Sequence, residues 1–288
     1  MNLLREYLDL FGLSIAASLL VAPVLAAVGS LLHLRREAFL GVAVPQFATA
    51  GVALALLLMP LFPPVQASFL EHGHPPMLYL LPFAAGAAFL TLLVYGLRGG
   101  STPNPALLAG GFAFAGALSF VFLSRSPTGA NYAETMLRGD VLYLDQHDFG
   151  ALVAVCVIGA GFLWWARRTL LVGAMDPEQA TALHLPLRFV NGILPMILAG
   201  VIGCGVMTLG PILVFSLLFL PPLAAAAAAR NLRQYLGLTV ALSLLTVVLA
   251  WLAAILGNFP YGPAAGVISG LIWLGCLALR RGSPGIRA

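Results

Sequence analysis

The chain has 288 residues, of which 61% are hydrophobic and only 8% charged, with a net charge of +4 and a mean hydropathy of +1.00. A soluble domain could not cover so apolar a core with so little polar surface. The apolar runs reach the roughly 20 residues that a helix needs to cross a bilayer, and they lack the alternation of a membrane β-barrel. The composition therefore predicts an all-α, polytopic membrane bundle, with residues 1–288 forming a single transmembrane domain.

Hydropathy predicts about nine membrane spans. The first apolar run follows Glu6 and Asp9 and is too long for the apolar region of a signal peptide, so we expect it to be retained. A further short re-entrant segment would fit between the fourth and fifth spans. The predicted spans are Phe11–Leu34, Ala38–Phe62, Met77–Leu97, Ala106–Ser124, Phe149–Leu170, Phe189–Leu209, Ile212–Ala229, Tyr235–Leu256 and Ala264–Leu279.

The distribution of arginine predicts the orientation of these spans. The chain contains no lysine, so all 14 basic residues are arginines. With the N-terminus outside and the C-terminus in the cytoplasm, only Arg5, Arg125 and Arg138 remain outside, which matches the excess of positive charge in cytoplasmic loops. The net charge then reflects topology and not a nucleic-acid-binding surface. The arginines on the cytoplasmic side are Arg35, Arg36, Arg98, Arg167, Arg168, Arg188, Arg230, Arg233, Arg280, Arg281 and Arg287.

One polar segment, GAMDPEQATALHLPLR (173–188), lies between the fifth and sixth spans. Asp176 is a favourable N-cap, Pro177 suits the first helical position, and Glu178 complements the helix dipole. Pro186 predicts the end of the helix. The segment is therefore expected to form a short cytoplasmic helix, which serves either as a solvated connection or as a docking element for a partner protein.

Glycine and proline cluster in the sixth and seventh predicted spans. Proline removes a backbone donor, and the carbonyl freed in hydrocarbon needs a neighbouring helix or a water-filled cavity. Broken helices of this kind often mark a translocation path, although Gly and Pro are also common in membrane helices. We expect functional breaks here. The Ala-rich run before Arg230 could serve a subunit contact or internal packing. The residues in the proposed breaks are Gly203, Gly205, Gly210, Pro211, Pro221 and Pro222.

Four stretches together resemble the zinc/manganese-type permeases of ABC importers. They are REAFLGVAVPQFATAGVAL, MDPEQATALHLPLR, GVMTLGPILVFSLLFLPPLAAAAAARN and GNFPYGPAAGVISGLIWL, and they occur in the family's order over most of residues 35–275. The resemblance implies a bacterial inner-membrane protein that forms a homodimeric pore. It also implies two ATP-binding subunits in the cytoplasm and an extracytoplasmic solute-binding protein.

The resemblance also gives the polar segment a role, since it implies that Asp176–Leu185 is the coupling helix that fits a cleft on the ATPase. The chain has no phosphate-binding GxxxxGK[ST] loop and no lysine to complete one. We therefore expect no cofactor in this chain and ATP on the partner subunit. The residues assigned to coupling are Asp176, Pro177, Glu178, Gln179, Ala182, Leu183 and Leu185.

The chain departs from the resembled family in the second span. The family usually has Asp directly after the glycine that matches Gly41 and His four residues later, whereas this chain has Val42 and Gln46. Divalent cations such as zinc and manganese bind carboxylate or imidazole ligands. None of the predicted spans holds Asp or Glu well inside it. The residues assigned to the pore and its gating are Gln46, Thr49, Gly205, Gly210, Pro211, Pro221 and Pro222.

Two explanations of this departure stay open. Either the pore binds metal weakly and leaves selection to the binding protein, or the cargo is a soft metal such as copper, a chelate or a non-metal solute. Met196, Cys204 and Met207 offer soft ligands, although Met and Cys in membrane helices are mostly packing residues. Outside the membrane, His72 and His74 could capture a cation, although an isolated pair of this kind is more often incidental.

Two other classes of function fit the sequence less well. A membrane-embedded enzyme needs paired Asp, HExxH, or Ser with His within the bundle, and the spans contain none of these. An ion-coupled secondary transporter usually carries a charged group within the membrane for coupling. The sequence therefore favours a transport permease that depends on a separate ATPase, and the resemblance implies a divalent metal ion as its cargo.

Overall fold

The computed structural model describes residues 2–61, 105–126, 146–257 and 259–280, and the regular elements in these ranges are helices. Eight of these helices are long and apolar enough to cross a membrane. A three-residue 3-10 turn, Met59–Leu61, follows the second helix. The α-helices are α1 (Asn2–Leu34), α2 (Ala38–Leu58), α3 (Pro105–Arg125), α4 (Gln146–Met175), α5 (Pro177–Ala182), α6 (Leu187–Leu209), α7 (Pro211–Ala228), α8 (Leu232–Gly257) and α9 (Tyr261–Arg280).

The eight membrane-length helices match eight of the nine predicted spans, and the polytopic helical bundle is confirmed. The other predicted span, Met77–Leu97, lies outside the described residues. The largest difference in helix bounds is at the start of α1, which begins at Asn2 instead of Phe11, and the next is in α4, which continues to Met175 instead of ending at Leu170. Arg167 and Arg168 lower the hydropathy there without interrupting the helix, because arginine is a good helix former.

Two side-chain hydrogen bonds mark the two ends of the bundle. At one end, the side chain of Arg35 after α1 donates a hydrogen bond of 2.7 Å to Asn191 near the start of α6. At the opposite end, the Ser126 hydroxyl after α3 donates to the Leu56 carbonyl of α2 at 3.2 Å. We call the first the arginine-rich end, because it holds the α1–α2 turn, the last turns of α4, helix α5 and the α7–α8 turn. Its described arginines include Arg35, Arg36, Arg168, Arg188, Arg230 and Arg233.

Four helices form the centre of the bundle and four lie outside it. Between 50% and 67% of the apolar windows of α1, α2, α6 and α7 are buried, against 17% to 28% for α3, α4, α8 and α9. The outer helices expose large apolar side chains such as Phe120, Ile158 and Leu271. A face of this kind is stable in contact with lipid and not with water, so the outer helices form the membrane-facing layer.

Hydroxyl side chains inside the bundle bond to the backbone of their own helices. Thr208, for example, donates to the Cys204 carbonyl at 2.9 Å, and Ser216 donates to the Ile212 carbonyl at 2.7 Å. These bonds to the preceding turn satisfy the hydroxyl group without another polar partner. Several polar residues at depth are therefore explained by local helix geometry. Ser119, Thr239 and Thr246 show the same pattern.

The predicted breaks in the sixth and seventh spans are mostly wrong. Helix α6 continues through Gly203 and Gly205, and α7 continues through Pro221 and Pro222. The chain breaks only at Gly210, whose φ of 82° is a conformation that glycine adopts readily. Gly205 instead allows α6 to pack closely against Val214 of α7.

At the second proline of the pair, another helix contacts the carbonyl that the proline frees. Pro222 cannot donate to the carbonyl of Leu218, one turn earlier in α7. Gly29 of α1 lies so close to this carbonyl oxygen that an added methyl group would overlap it. This approach excludes lipid and allows a weak Cα–H···O contact, which replaces part of the lost hydrogen bond. In the Ala-rich run that follows, Ala224 and Ala225 are fully buried within the chain, which favours internal packing for these two positions.

Candidate functional site

Helix α5 begins as the sequence predicts. Asp176 has the extended conformation of an N-cap (φ −147°, ψ 91°), and its carboxylate accepts a hydrogen bond of 2.9 Å from the backbone N–H of Gln179. Pro177 occupies the first turn, where its missing N–H leaves no helical bond unmade. Glu178 lies in the same turn, near the positive end of the helix dipole. The cap is formed within the segment itself.

The helix ends earlier than predicted, at Ala182 and not near Leu185. His184 adopts a left-handed conformation with φ 51°. Its backbone N–H donates to the Thr181 carbonyl at 3.0 Å, and the N–H of Leu185 donates to the Ala180 carbonyl at 3.1 Å. These bonds close the helix in the manner usually provided by glycine. Pro186 was therefore the wrong signal for the helix end, and it instead precedes α6.

The side chains of α5 mostly face away from the bundle. Glu178, Gln179, Ala182 and the capping Asp176 are exposed, and 47% of Leu183 is accessible. Ala180 is fully buried, where α5 packs against α4, and Leu185 is half-buried. The short helix presents two carboxylates at its start and an exposed leucine at its end, and it joins two membrane helices. Such a surface can bind a partner and transmit its movement.

Arg35, Glu37 and Asn191 form a polar cluster at the α1–α2 turn, which was not identified from the sequence. Arg35 donates to the Asn191 side-chain oxygen at 2.7 Å, and its guanidinium lies 4.0 Å from the Glu37 carboxylate. Only 11% of the Arg35 side chain and 18% of the Glu37 side chain are exposed. Burial raises the pKa of Glu37, and the positive charge of Arg35 partly opposes this shift. The turn itself is tight, since Arg36 adopts φ 59°.

This polar cluster lies close along the chain to helix α5. Asn191 belongs to the first turns of α6, which follow α5 after a short connection. At the start of α6, Leu187 packs so closely on Gly173 of α4 that an added methyl group would lie 2.6 Å from its side chain. A displacement of α5 would therefore act on the start of α6, and through Asn191 on Arg35. The one signal in the sequence was a base and an acid two residues apart in a short loop between two spans.

The residues predicted to line the pore fall into three separate settings. In α2, Gln46 is near α3, because a methyl group added at Gly116 would lie 3.3 Å from the Gln46 amide nitrogen, and Thr49 is half-buried. Gly205, Gly210 and Pro211 come together at the α6–α7 turn. Pro221 and Pro222 are buried in α7, and the ring of Pro222 lies near Gly29 of α1. Their roles in a pore stay predictions.

The described residues do not form a metal site. Among residues 2–61, 105–126, 146–257 and 259–280, no three His, Cys, Asp or Glu side chains lie together. Met196 and Cys204 are eight residues apart on α6, about 12 Å along the axis, so they do not bind one ion jointly. The Met207 side chain and the His72–His74 segment lie outside the described part of the chain. A soft-metal site that combines Met196 with Cys204 is therefore excluded.

Comparison with known proteins identifies the family. The ABC 3 transport family matches residues 8–280. A curated relative from Chlamydia pneumoniae, named "Probable metal transport system membrane protein", is 22% identical over 165 residues, which are 57% of this chain and 56% of the relative. This chain thus matches little more than half of that relative's length.

Two solved structures share the fold. PsaBC from Streptococcus pneumoniae in complex with Fab aligns with a TM-score of 0.77 at 18% identity, covering 94% of this chain and 93% of that chain. The inward-facing conformation of a transporter described as metal-chelate type ABC aligns with a TM-score of 0.69 at 16% identity, covering 97% and 88%. At these identities the structures support the architecture alone. Since the family match extends over nearly the whole membrane bundle, the chain belongs to the ABC 3 transport family and is a multi-pass membrane protein.

Proposed function

We propose that this chain is the permease of an ATP-driven importer for a divalent metal ion of the zinc/manganese class. It works as a homodimer whose two copies form the pore, with the whole of residues 1–288 acting as one transmembrane domain. ATP binds to a separate cytoplasmic ATPase, and a solute-binding protein delivers the cargo on the other side. This chain itself needs no cofactor. Family membership supports the transport role.

Helix α5 is the observation that carries the coupling part of the proposal. Its cap forms within the segment, while Glu178, Gln179 and Leu183 are left exposed. These side chains remain accessible to a partner on a short helix that joins two membrane helices. In the proposed mechanism the ATPase holds α5, and closure of the ATPase pair moves α5 together with the start of α6. This orientation places the arginine-rich end in the cytoplasm, in agreement with the distribution of positive charge, within the inner membrane of a bacterium.

The coupling assignment is tested by purifying the chain together with its ATPase. Glu178→Lys reverses one exposed charge, and Asp176→Asn removes a charge while keeping a good N-cap. We expect Glu178→Lys to lower the recovery of the ATPase at least fivefold, and Asp176→Asn to lower it less. Asp9→Lys is the matched control, because Asp9 lies near the start of α1, away from the arginine-rich end that holds α5. Unchanged recovery and unchanged transport with Glu178→Lys would contradict the assignment.

The residues of the chain give less direct support for the identity of the cargo, because Val42 and Gln46 occupy the positions where the resembled family has metal ligands. We infer that the pore holds the metal weakly and that the solute-binding protein selects it. The metal retained by that protein on purification, measured by mass spectrometry, tests the divalent class. Copper or a chelated metal in its place would favour the alternative cargo, which the absence of a carboxylate or imidazole cluster among the described residues also fits.

A further inference from the structure

An open groove lies on the outside of the bundle between α1, α4 and α8. Its volume is about 650 Å³. Val24, Cys156 and Leu170 form a buried floor, whereas Val157 and Trp164 at the edge are 62% and 71% exposed. The groove is therefore accessible from the membrane-facing layer and is not an internal cavity of the bundle.

The shape and lining of the groove suit a hydrocarbon chain. Along α4 it extends from Cys156 to Leu171, which is about 22 Å at the helical rise and exceeds one leaflet, half of the roughly 30 Å hydrocarbon core. Nearly all of its lining side chains are apolar. The hydroxyl of Ser30 already donates to the Ala26 carbonyl at 2.9 Å, so it does not require a polar ligand.

One charged side chain, Arg167, lines the groove near the arginine-rich end. Its guanidinium carbon lies 4.1 Å from the centre of the Trp164 ring. Tryptophan and arginine are typical of the level of the lipid headgroups. Arg233 lies on α8 three and seven residues before Leu236 and Val240, which line the groove, and thus on the same helical face.

The helices of the groove provide no nearby negative charge to neutralise these arginines. Helix α8 contains no Asp or Glu, and the acidic residues of α1, Glu6 and Asp9, lie eighteen or more residues before Ala27, which lines the groove. In α4 the acidic residue is Asp148, nineteen residues from Arg167, or about 28 Å along the helix. An apolar channel that has an arginine and an interfacial tryptophan within about two helical turns of its end at Leu171 is complementary to a negatively charged lipid.

We propose that this groove binds an anionic phospholipid, with an acyl chain lying along α1, α4 and α8 and the phosphate group paired with Arg167. The lipid covers the apolar floor and neutralises the arginine. One arginine at the membrane surface gives about a fivefold preference for an anionic over a neutral headgroup. The site lies on the outer surface of the bundle, where one central helix, α1, meets two outer helices, and it does not depend on the proposed cargo or on the ATPase.

Tryptophan quenching by phospholipids with brominated acyl chains tests this site directly. Trp164 lines the groove, whereas the neighbouring Trp165 contacts Phe162 and Phe189 and does not line it. Two reporter proteins carry Trp273→Phe and retain the buried Trp251, whose ring nitrogen donates to Ser18. The first also carries Trp165→Phe, and the second carries Trp164→Phe. Both are placed in phosphatidylcholine nanodiscs that contain a small fraction of brominated phosphatidylglycerol or brominated phosphatidylcholine.

In the Trp164 reporter we expect quenching by phosphatidylglycerol to show an apparent affinity about fivefold higher than quenching by phosphatidylcholine. Arg167→Gln should abolish this preference, and Arg168→Gln, the same change on the adjacent exposed residue, should preserve it. The Trp165 reporter should not distinguish the two lipids. The proposal is overturned by equal quenching of Trp164 by both lipids, or by a preference that survives Arg167→Gln. It is also overturned if neither lipid quenches Trp164, since a protein segment or a second copy would then fill the groove.

A second measurement needs no substitution. Native mass spectrometry of the wild-type chain after mild detergent exchange should show retained phospholipid, with the anionic class enriched about fivefold over its fraction in the membrane used. Retained lipid with the composition of the bulk membrane, or no retained lipid, would contradict the proposal.

Discussion

Two glycines of this bundle lie in opposite surroundings. One is at the contact between α1 and α7, and the other is on the outer surface of α8. At the first, Gly29 touches the backbone carbonyl of Leu218, and a side chain of any size would collide with it. At the second, Gly237 has nothing within 4 Å of the position of an added methyl group. The comparison teaches that glycine in a membrane helix marks close packing only where a neighbouring helix approaches it.

The sharpest test of this comparison is the same substitution at both glycines. Gly29→Ala should destabilise the chain by about 3 kcal/mol or more, since the overlap with a backbone oxygen cannot be relieved by a rotamer change. Gly237→Ala should leave stability unchanged or raise it by up to about 1 kcal/mol through helix propensity. Thermal unfolding in detergent measures both variants. Equal effects would show that α1 and α7 are not in close contact.

A smaller effect is expected at a polar contact between an inner and an outer helix. The ring nitrogen of Trp251 in α8 donates to the Ser18 hydroxyl of α1 at 2.8 Å, and both residues are buried. Ser18→Ala would leave this donor without its partner, at a cost of about 1–2 kcal/mol. Ser124→Ala is the matched control, because Ser124 is exposed and bonds within its own helix. A loss of stability as large in the control would contradict the assigned role of the Trp251 contact.

The smallest effect is expected at the arginine-rich end, where the packing is polar. Burial raises the pKa of Glu37 despite the neighbouring Arg35. A raised pKa in the folded state means that the contribution of Glu37 to stability is present below its ordinary pKa and is lost as the pH rises through the raised value. Unfolding of the wild type and Glu37→Gln should therefore be compared from about pH 4 to about pH 7. The wild type should lose stability relative to the variant as the pH rises, and a relative gain would show that Arg35 outweighs burial.

Much of the architecture was predictable because it depends on local properties of the chain. Eight predicted spans correspond to helices, since apolar runs of this length satisfy their backbone groups internally in a membrane. The start of α5 was predicted from Asp176, whose cap involves a bond only three residues long. The end of α5 was not, because His184 adopts a conformation that is unusual for residues other than glycine.

The candidate sites were less predictable, because side chains distant in sequence build them. Arg35 and Asn191 are 156 residues apart, and neither residue alone signals the other. Pro221 and Pro222 suggested a broken helix, since proline removes a hydrogen bond wherever it occurs. Whether the helix then breaks depends on what lies opposite the freed carbonyl. For Pro222 this is the carbonyl of Leu218, and Gly29 of α1 lies opposite it.

By itself, the sequence determined that the chain forms a helical membrane bundle, which of the described segments are membrane-length helices, and where a short polar helix begins. Hydropathy, helix propensity and capping act over a few turns, so they can be evaluated from the residues alone. Only the tertiary structure decided which helices are central, how a proline pair is accommodated, and where Arg167 meets an apolar groove. These features depend on the distances between helices, which arise from the packing of side chains far apart in the chain.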